Sequence, residues 1–530
     1  VEAARAFLSP DLASLHDPFA LPDMAAVVAR LDRALTDGEP LLVHGDYDAD
    51  GVTSTALMVR ALSKLGGRVH YYVPHRMLDH YGLASRAIRL AVQEGLKLIV
   101  ALDCGVSDHE AIAEAQALGI EVLVIDHHQP GPQLPAETLV VNPKRSDSEY
   151  PFADLSAVGL GYKVLCGLCQ QRGLNELSLA RAFLDLVCVG TIADVMPLRD
   201  ENRILCAAGL KLLPQTRKAG LRALMNLCDL NGTASASDVA FRLAPRLNAV
   251  GRMGDANEAV QLLVTEDEDE AVRLALLLDS LNRQRQREQE RVYQQARSAA
   301  VTQLELTDRG ALVLAGEGWH AGVVGIVASK ILEEFGRPAV VLTHDEGLWR
   351  GSGRSLPGFD MAQAFASCHD LLLRYGGHEL AGGLTLEATA LEPLRERLAV
   401  LATEQLAEGV GQPRLEVDGE VGAEELTPEL AEALSALEPC GQDNRPPLLL
   451  TRGLEVLDVR TVGREGSHLK LTLAAGQRAF DAIGFGLGGR ANKIASRQRL
   501  DVVHTPEINE FNGNRGLQLR LTDLRPAETP

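Results

Sequence analysis

The sequence predicts an α/β protein with four parts: a parallel-sheet unit, a long connecting helix, a second α/β unit and a small antiparallel β-barrel. Three observations predict it. Apolar runs at 41–43, 98–102 and 122–125 are separated by helix-compatible stretches at 52–65 and 108–118. Short apolar runs alternating with helices read as buried parallel strands. The same alternation restarts at Ala311-Leu312-Val313-Leu314, after a polar, helix-prone stretch at 271–301. Beyond about residue 413 the apolar residues switch to period two, as in His468-Leu469-Lys470-Leu471-Thr472-Leu473 and Leu517-Gln518-Leu519-Arg520-Leu521, the spacing of half-buried strands.

Each run of the first unit ends in a polar cluster. These are Gly45-Asp46-Tyr47-Asp48-Ala49-Asp50-Gly51, then Asp103-Cys104-Gly105, then Asp126-His127-His128. Sites in parallel sheets lie beyond the carboxyl ends of the strands, so all three clusters are expected at one edge. That many carboxylates in one crevice repel unless cations bind there. Carboxylates alone suit magnesium or calcium, and imidazole shifts the preference toward manganese or another transition metal. The groups exceed what one four-coordinate ion needs, so two ions sharing a bridging carboxylate is the expectation. Two cations about 4 Å apart can deprotonate a water and stabilise both the attacking and the leaving oxygen at phosphorus. The competing reading is that the aspartates cap helices, a role suited to Asp50 and Asp108.

A helical stretch at 155–213 follows and carries Thr191-Ile192-Ala193-Asp194-Val195-Met196-Pro197-Leu198. An acidic run at 266–270 leads into the connecting helix, whose Arg283, Arg285, Arg287, Arg291 and Arg297 either solvate it or face nucleic acid. In the second unit the expected order is a strand at 311–314, a helix at 322–335 and a strand at 339–342. A glycine-flanked turn, Gly351-Ser352-Gly353-Arg354-Ser355, comes next, then a helix at 359–373 and Gly376-Gly377-His378. Turn signals at Gly463-Arg464-Glu465-Gly466 and Asn512-Gly513-Asn514 separate the barrel strands, and an OB-fold is the most economical choice. The expected divisions are 1–38 (helical), 39–264, 265–305 (connecting helix), 306–410 and 411–530 (OB-like barrel).

Composition restricts the partners. A net charge of −20 argues against an extended phosphate-binding surface, leaving only a local basic channel. Aromatic residues at 4% limit base stacking. No apolar run reaches the roughly 20 residues of a membrane span, and the first residues lack the layout of a signal peptide. The expectation is a cytoplasmic protein with no membrane contact. Its eight cysteines are expected to be reduced, including the lone Cys166-x-x-Cys169 pair.

The three clusters and Ala193-Asp194-Val195-Met196-Pro197-Leu198, taken in order, resemble the four motifs of DHH-family phosphoesterases. The form Gly-Asp-Tyr-Asp-Ala-Asp-Gly-Val-Thr-Ser is similar to the RecJ branch, the single-strand-specific 5′→3′ exonucleases. The likeness extends to that family's DHH-associated domain through Gly318-Trp319-His320, Gly351-Ser352-Gly353-Arg354-Ser355, Gly376-Gly377-His378 and Ala381-Gly382-Gly383. The resemblance implies Asp46, Asp48, Asp50, Asp103, His127 and Asp194 as Mn²⁺ ligands, with Asp103 bridging and Mg²⁺ the alternative ion. It places His128 beside the reacting phosphate and leaves Asp126 as an orienting carboxylate. His44 is either a further ligand, as in related pyrophosphatases, or simply the end of its strand.

For holding DNA the resemblance points to Arg246, Asn248 and Arg252, where a guanidinium fork suits phosphate. An interdomain ion pair is the alternative, expected more for Arg252 than for Arg246. Ser352 and Arg354 are expected at the 5′-terminal phosphate, cradled by backbone N–H groups of their turn. His378 is expected across the domain cleft from the scissile phosphate. Arg76 and Tyr81 are expected at nucleotides, Tyr81 by stacking. The function implied is metal-dependent hydrolysis of single-stranded DNA to mononucleotides in repair and recombination. Single-strand-binding protein and a helicase are the implied partners of a monomeric enzyme. Two rival readings are a small-substrate DHH hydrolase, acting on oligoribonucleotides, cyclic dinucleotides or pyrophosphate, and a non-catalytic replication scaffold. The scaffold would have lost metal ligands, whereas here every motif position holds Asp or His.

Overall fold

The computed structural model describes residues 2–527 except 77, 80, 231, 307–309, 407–414 and 512–513. The expected boundary at 410/411 and the turn residues Asn512 and Gly513 lie outside the described residues.

The first sheet is parallel, in the order β2-β1-β3-β4-β5, from β1 (Leu41–His44), β2 (Val69–Tyr72), β3 (Leu98–Leu102), β4 (Glu121–Ile125) and β5 (Leu139–Val141). The three predicted strands sit side by side in its centre. Their side chains are buried on both faces, Leu41, Val43 and Val100 on one and Leu42, Ile99 and Val122 on the other, which is why they read as unbroken apolar runs. Helix Ala49–Lys64 starts earlier than its apolar pattern because Asp48 is its N-cap. Helices Ala157–Gln171 and Glu176–Ala193 pack on the same face. Helix Glu268–Leu306 is the connecting helix, and its Val292, Ala296 and Ala300 are buried against the second unit.

The second sheet has the order β6-β7-β8-β10-β9, from β6 (Leu312–Gly316), β7 (Ala339–Asp345), β8 (Leu348–Arg354), β9 (Arg374–His378) and β10 (Ala381–Glu387). Only β6 and β7 are parallel; the rest are antiparallel. Two expectations fail here. Ser352 and Arg354 are on strand β8, between β7 and β10, and not in a turn. The glycines that suggested a turn serve close packing: a Cβ on Gly351 would lie 2.0 Å from the Val341 carbonyl oxygen, and one on Gly353 2.8 Å from Met361 Sδ. The expected helix at 359–373 is only Met361–Ala366, followed by a short 3₁₀ turn at His369–Leu371.

The third sheet contains β11 (Gly419–Glu420), β12 (Leu449–Val462), β13 (His468–Ala475), β14 (Arg478–Gly484), β15 (Arg499–Phe511) and β16 (Asn514–Pro526). It closes into a barrel because β12 pairs with both β13 and β15. The barrel is not purely antiparallel, since β14 pairs with β16 in parallel. Five strands around a closed cylinder cannot alternate direction throughout, so at least one neighbouring pair must be parallel. Among the described residues no helix is long and apolar enough to cross a membrane.

Candidate metal centre and arginine cluster

The carboxyl ends of β1, β3 and β4 are neighbours, and each delivers its polar cluster to one crevice. Asp103 takes the left-handed conformation (φ 62°) and its N–H donates to the Ile125 carbonyl. Asp is among the few residues that tolerate this. The first cluster is pulled tight by Gly51, where a Cβ would lie 2.4 Å from the Asp46 carbonyl oxygen and 2.5 Å from its nitrogen. Gly51→Ala is therefore expected to open the loop carrying Asp46 and Asp48. A fall in thermal stability of about 1–3 kcal/mol, together with loss of metal-induced stabilisation in the same melts, checks this.

Three overlapping groups can each converge on a cation. They are Asp46, Asp48 and Asp103; Asp103, His127 and His128; and Asp50, His127 and Asp194, each with ligand atoms within 4.8 Å of one another. His127 Nε2 lies 3.2 Å from Asp103 Oδ1 and 3.7 Å from Asp194 Oδ2. Asp103 belongs to two of the groups, where a bridging ligand would be. All six residues expected as ligands are thus brought together. Buried Asp46 Oδ1 and Asp103 Oδ1 have no hydrogen-bond partner among the described residues. Buried polar atoms are normally satisfied, and a divalent cation would satisfy both.

Electrostatics point the same way. Burial, with Asp48 next in size, pushes the Asp46 carboxyl well above the usual range. Burial and the carboxylates of Asp48, Asp50, Asp46 and Asp194 do so for Asp103. Burial and neighbouring aspartates raise Asp50 to about 7 and Asp194 to about 9. Burial and the adjacent His128 lower His127 to about 3, keeping it neutral and free to coordinate.

Some expected ligands also have structural work. Asp48 Oδ1 accepts the Asp50 and Gly51 N–H groups at 2.9 and 3.0 Å. Asp50 accepts the Ala157 and Val158 N–H groups at 2.7 and 2.9 Å, which fixes the start of helix Ala157–Gln171. These two residues thus do structural work while also belonging to the groups able to converge on a cation. Asp108, the other expected cap, occupies the N-cap position of helix His109–Ala117, but its side chain makes no capping bond there and accepts the Leu83 N–H at 2.7 Å. His44 ends its strand and is no part of the three groups. It is fully buried, accepts the Ala84 N–H at 3.2 Å, and burial lowers it to about 4. No cysteine joins the groups, and all eight cysteines are unpaired.

Asp126 Oδ1 lies 2.7 Å from His128 Nδ1 and also accepts the His128 N–H, while Oδ2 accepts the Val106 N–H at 3.0 Å. Burial works to lower His128, but the hydrogen bond and charge of Asp126, aided by Asp46 and Asp48, carry it above the usual histidine value. His128 remains about 40% exposed toward the crevice, which suits a cationic group beside a phosphate. Tyr81, expected to stack on a base, is 50% exposed. Its hydroxyl lies 3.0 Å from His128 Nδ1 and donates to the Asp103 carbonyl at 3.2 Å, which ties the ring into the site.

The arginines sort in the opposite way to the sequence expectation. Arg246 is the ion-paired one, 2.8 Å from Asp279. Arg252 has no carboxylate partner among the described residues and donates to the Gly322 carbonyl at 3.1 Å. Burial and the charges of Arg76, Arg285 and Arg354 lower Arg252 to about 10. Burial and Arg76 lower Arg354. Arg76, Arg252, Arg285 and Arg354 therefore form a like-charged cluster, contributed by the first unit, the connecting helix and β8. Arg76 also sits over the Tyr47 ring, 4.8 Å from its centroid, and its charge reaches Asp46. Gly325 leaves room for this arrangement, since a Cβ there would lie 3.0 Å from Arg354 Nη2 and 3.3 Å from Ser352 Oγ. Asn248 Oδ1 accepts the Ala49 N–H at 2.8 Å and steadies the first cluster, which leaves its Nδ2 as the donor that could reach a strand. His378 stands on the exposed strand β9, with no hydrogen bond or ion pair to the carboxylates among the described residues.

Sequence reasoning missed two contributors. Asn142 holds the His128 carbonyl at 2.8 Å. Lys144, just past β5, places a positive charge near His127 and Asp194. An Asn-Pro-Lys turn following the next strand of the same sheet was the available signal.

A parallel sheet with an Asp/His crevice at its carboxyl edge, facing a convergent arginine cluster, defines a metal-dependent phosphoesterase. Residues 40–191 match the DHH family N-terminal domain, 308–404 the DHHA1 domain and 417–523 the RecJ OB domain. The single-stranded-DNA-specific exonuclease RecJ of Dickeya dadantii is 38% identical over 98% of this chain and 93% of its own length. The Bacillus subtilis RecJ is 38% identical over 99% of this chain, which spans 66% of that relative. The crystal structure of Thermus thermophilus RecJ in complex with Mn²⁺ superposes with a TM-score of 0.84 at 32% identity, covering 99% of this chain and 74% of that one. The chain belongs to the RecJ family of single-stranded-DNA-specific exonucleases.

Proposed function

We propose that this member of the family hydrolyses single-stranded DNA from its 5′ end to mononucleotides, with divalent cations held by Asp46, Asp48, Asp50, Asp103, His127 and Asp194. The observation that carries the reading is the juxtaposition of orphaned, crowded carboxylates with an arginine cluster that has no carboxylate partner among the described residues. Two cations bound there supply an activated water and neutralise charge at the scissile phosphate. The relatives' structures with Mn²⁺ and Mg²⁺ support a divalent ion, and the imidazole of His127 favours Mn²⁺.

Asp126 orients His128 and holds its proton, so that an imidazolium faces the developing charge on phosphorus. The Tyr81 hydroxyl, 3.0 Å from the same Nδ1, helps to hold that ring. Arg76, Arg252 and Arg354, with Ser352, hold phosphates on the second unit's side of the crevice, and His378 lies along the outgoing strand. Arg246 supports the site through Asp279, and Asn248, whose Oδ1 holds the Ala49 N–H, offers its Nδ2 to the strand. The divisions 1–38, 39–264, 265–305, 306–410 and 411–530 assign catalysis to the second part, closure to the fourth and strand binding to the barrel. A monomer in the cytoplasm, supplied with strands by a helicase and single-strand-binding protein, fits a substrate that must first be unwound.

Digestion of a long strand labelled at either end tests this, with Mn²⁺, Mg²⁺ or chelator and with duplex, RNA and dinucleotide controls. Early release of the 5′ label, only with metal and only from single strands, is expected. Preferential turnover of the dinucleotide would overturn the reading in favour of a small-substrate hydrolase.

A further inference from the structure

We propose that Arg203 is a positioning residue for Asp194, acting through the segment at 436–444 that leads into the barrel. The inference rests on the reading of Asp194 as a metal ligand. Asp194 closes helix Glu176–Ala193, and the next residue, Val195, has a φ of 58°. A β-branched residue in the left-handed region is strained. Val195 is 64% exposed, so packing of its own side chain does not hold it there. The flanking contacts must do so.

Those contacts begin at the turn itself, where the Val195 N–H donates to the Ile192 carbonyl at 3.2 Å. The Met196 N–H donates to the Thr191 carbonyl at 3.2 Å. Asn202 Nδ2 donates to the Pro197 carbonyl at 3.1 Å. The Leu198 N–H donates to the Gln442 carbonyl at 2.8 Å, reaching across to the segment before the barrel. Gly441 brings that segment close, since a Cβ on it would lie 2.7 Å from Leu198 Cδ1.

Arg203 shapes this segment. Its Nη1 donates to the Leu437 and Pro439 carbonyls at 2.9 and 3.2 Å, and its Nη2 to the Glu438 carbonyl at 2.9 Å. Nε donates to the Phe7 carbonyl at 2.8 Å, and the guanidinium lies over the Phe7 ring. The residue is 2% exposed and has no carboxylate partner among the described residues. A buried cation served only by carbonyls is costly to keep, and only a planar fork reaches this many acceptors at once. The chain of contact therefore runs from Arg203 to 437–439, to Gln442, to Leu198, and so to the strained turn after Asp194.

The test measures Mn²⁺ binding by calorimetry on the whole chain, together with amide hydrogen exchange at 195–200 in the metal-free protein. Arg203→Gln is expected to weaken Mn²⁺ binding about tenfold, as for other residues that orient a ligand, and to speed exchange at 195–200. Gly441→Ala, which pushes Leu198 away while leaving Arg203 intact, should act in the same direction and keeps the test open if Arg203→Gln folds poorly. Val195→Gly needs no holding in the left-handed region, so alone it should bind Mn²⁺ as the wild type does, and in the Arg203→Gln background it should restore most of the affinity. A merely structural role for Arg203 predicts no such rescue. Wild-type Mn²⁺ affinity in both Arg203→Gln and Gly441→Ala, or failure of Val195→Gly to rescue, overturns the inference. Asp194→Ala is the separate control: unchanged Mn²⁺ binding there overturns the ligand reading itself.

Discussion

Asp103→Asn is expected to reduce strand cleavage at least about 10³-fold, the upper end of what one transition-state contact supplies, while making the metal-free protein more stable. The two effects share one cause. Asp103 is 2% exposed, lies 3.2 Å from His127 Nε2 and faces the carboxylates of Asp48, Asp50, Asp46 and Asp194. With cations bound, that crowding is the source of affinity; without them it is repulsion between buried charges. The sign follows from linkage. The folded-state value of Asp103 is raised above 3.8, so the folded state binds more protons than the unfolded one above that pH. This group therefore subtracts stability progressively as pH rises from about 3.8 toward its folded value. The neutral amide removes that penalty. Metal-free melts should show a gain for Asp103→Asn that is small at pH 4 and larger at pH 7, with the wild type's Mn²⁺-induced rise in Tm largely lost. Full nuclease activity in the variant would rule out the shared-ligand role, and a metal-free Tm below the wild type's at pH 7 would rule out the repulsion.

The central strands and their terminal clusters were legible in the sequence because burial on both faces leaves uninterrupted apolar runs, and because parallel sheets place sites at one edge. Five of the six ligand candidates converge for that reason, and Asp194 joins them from the end of helix Glu176–Ala193. Less legible were residues whose role depends on a partner far along the chain. Arg246 and Arg252 sit in one short helix, Ala244–Met253, with nothing local to separate them. Asp279, 33 positions away on the connecting helix, takes Arg246, and the second unit's approach through Gly322 defines the environment of Arg252. Glycines misled in the same manner. Gly351 and Gly353 look like a turn locally, yet the distant Val341 and Met361 require them within a strand. Strand direction in the barrel was also invisible to periodicity, because period two reports pleat and burial but not the sense of the neighbouring strand.

Removing the two arginines that meet across the cleft should separate binding from chemistry. Arg252→Ala and Arg354→Ala are each expected to weaken binding of a 5′-phosphorylated single strand by roughly 10- to 100-fold, from the 1.5–3 kcal/mol of a charged hydrogen bond, with KM rising more than kcat falls. Neither should lower the Tm appreciably. Arg252 is surrounded by Arg76, Arg285 and Arg354, so in the absence of an anion its charge is opposed rather than paired, and deleting it relieves repulsion. Arg246→Ala is the contrasting control. It breaks the pair with Asp279, so it should lower the Tm while changing DNA affinity less. If the two cleft arginines grip phosphates, the slope of log affinity against log salt should shrink by about 0.7 for each one removed. The double variant should lose less than the sum if both hold one phosphate, because groups sharing a partner are coupled. A 5′-hydroxyl strand identifies which phosphate is involved: the variants should lose little against it if the terminal phosphate is the one held, and as much as before if an internal one is. Unchanged affinity and salt slope in both single variants would leave the cluster with no role in holding DNA.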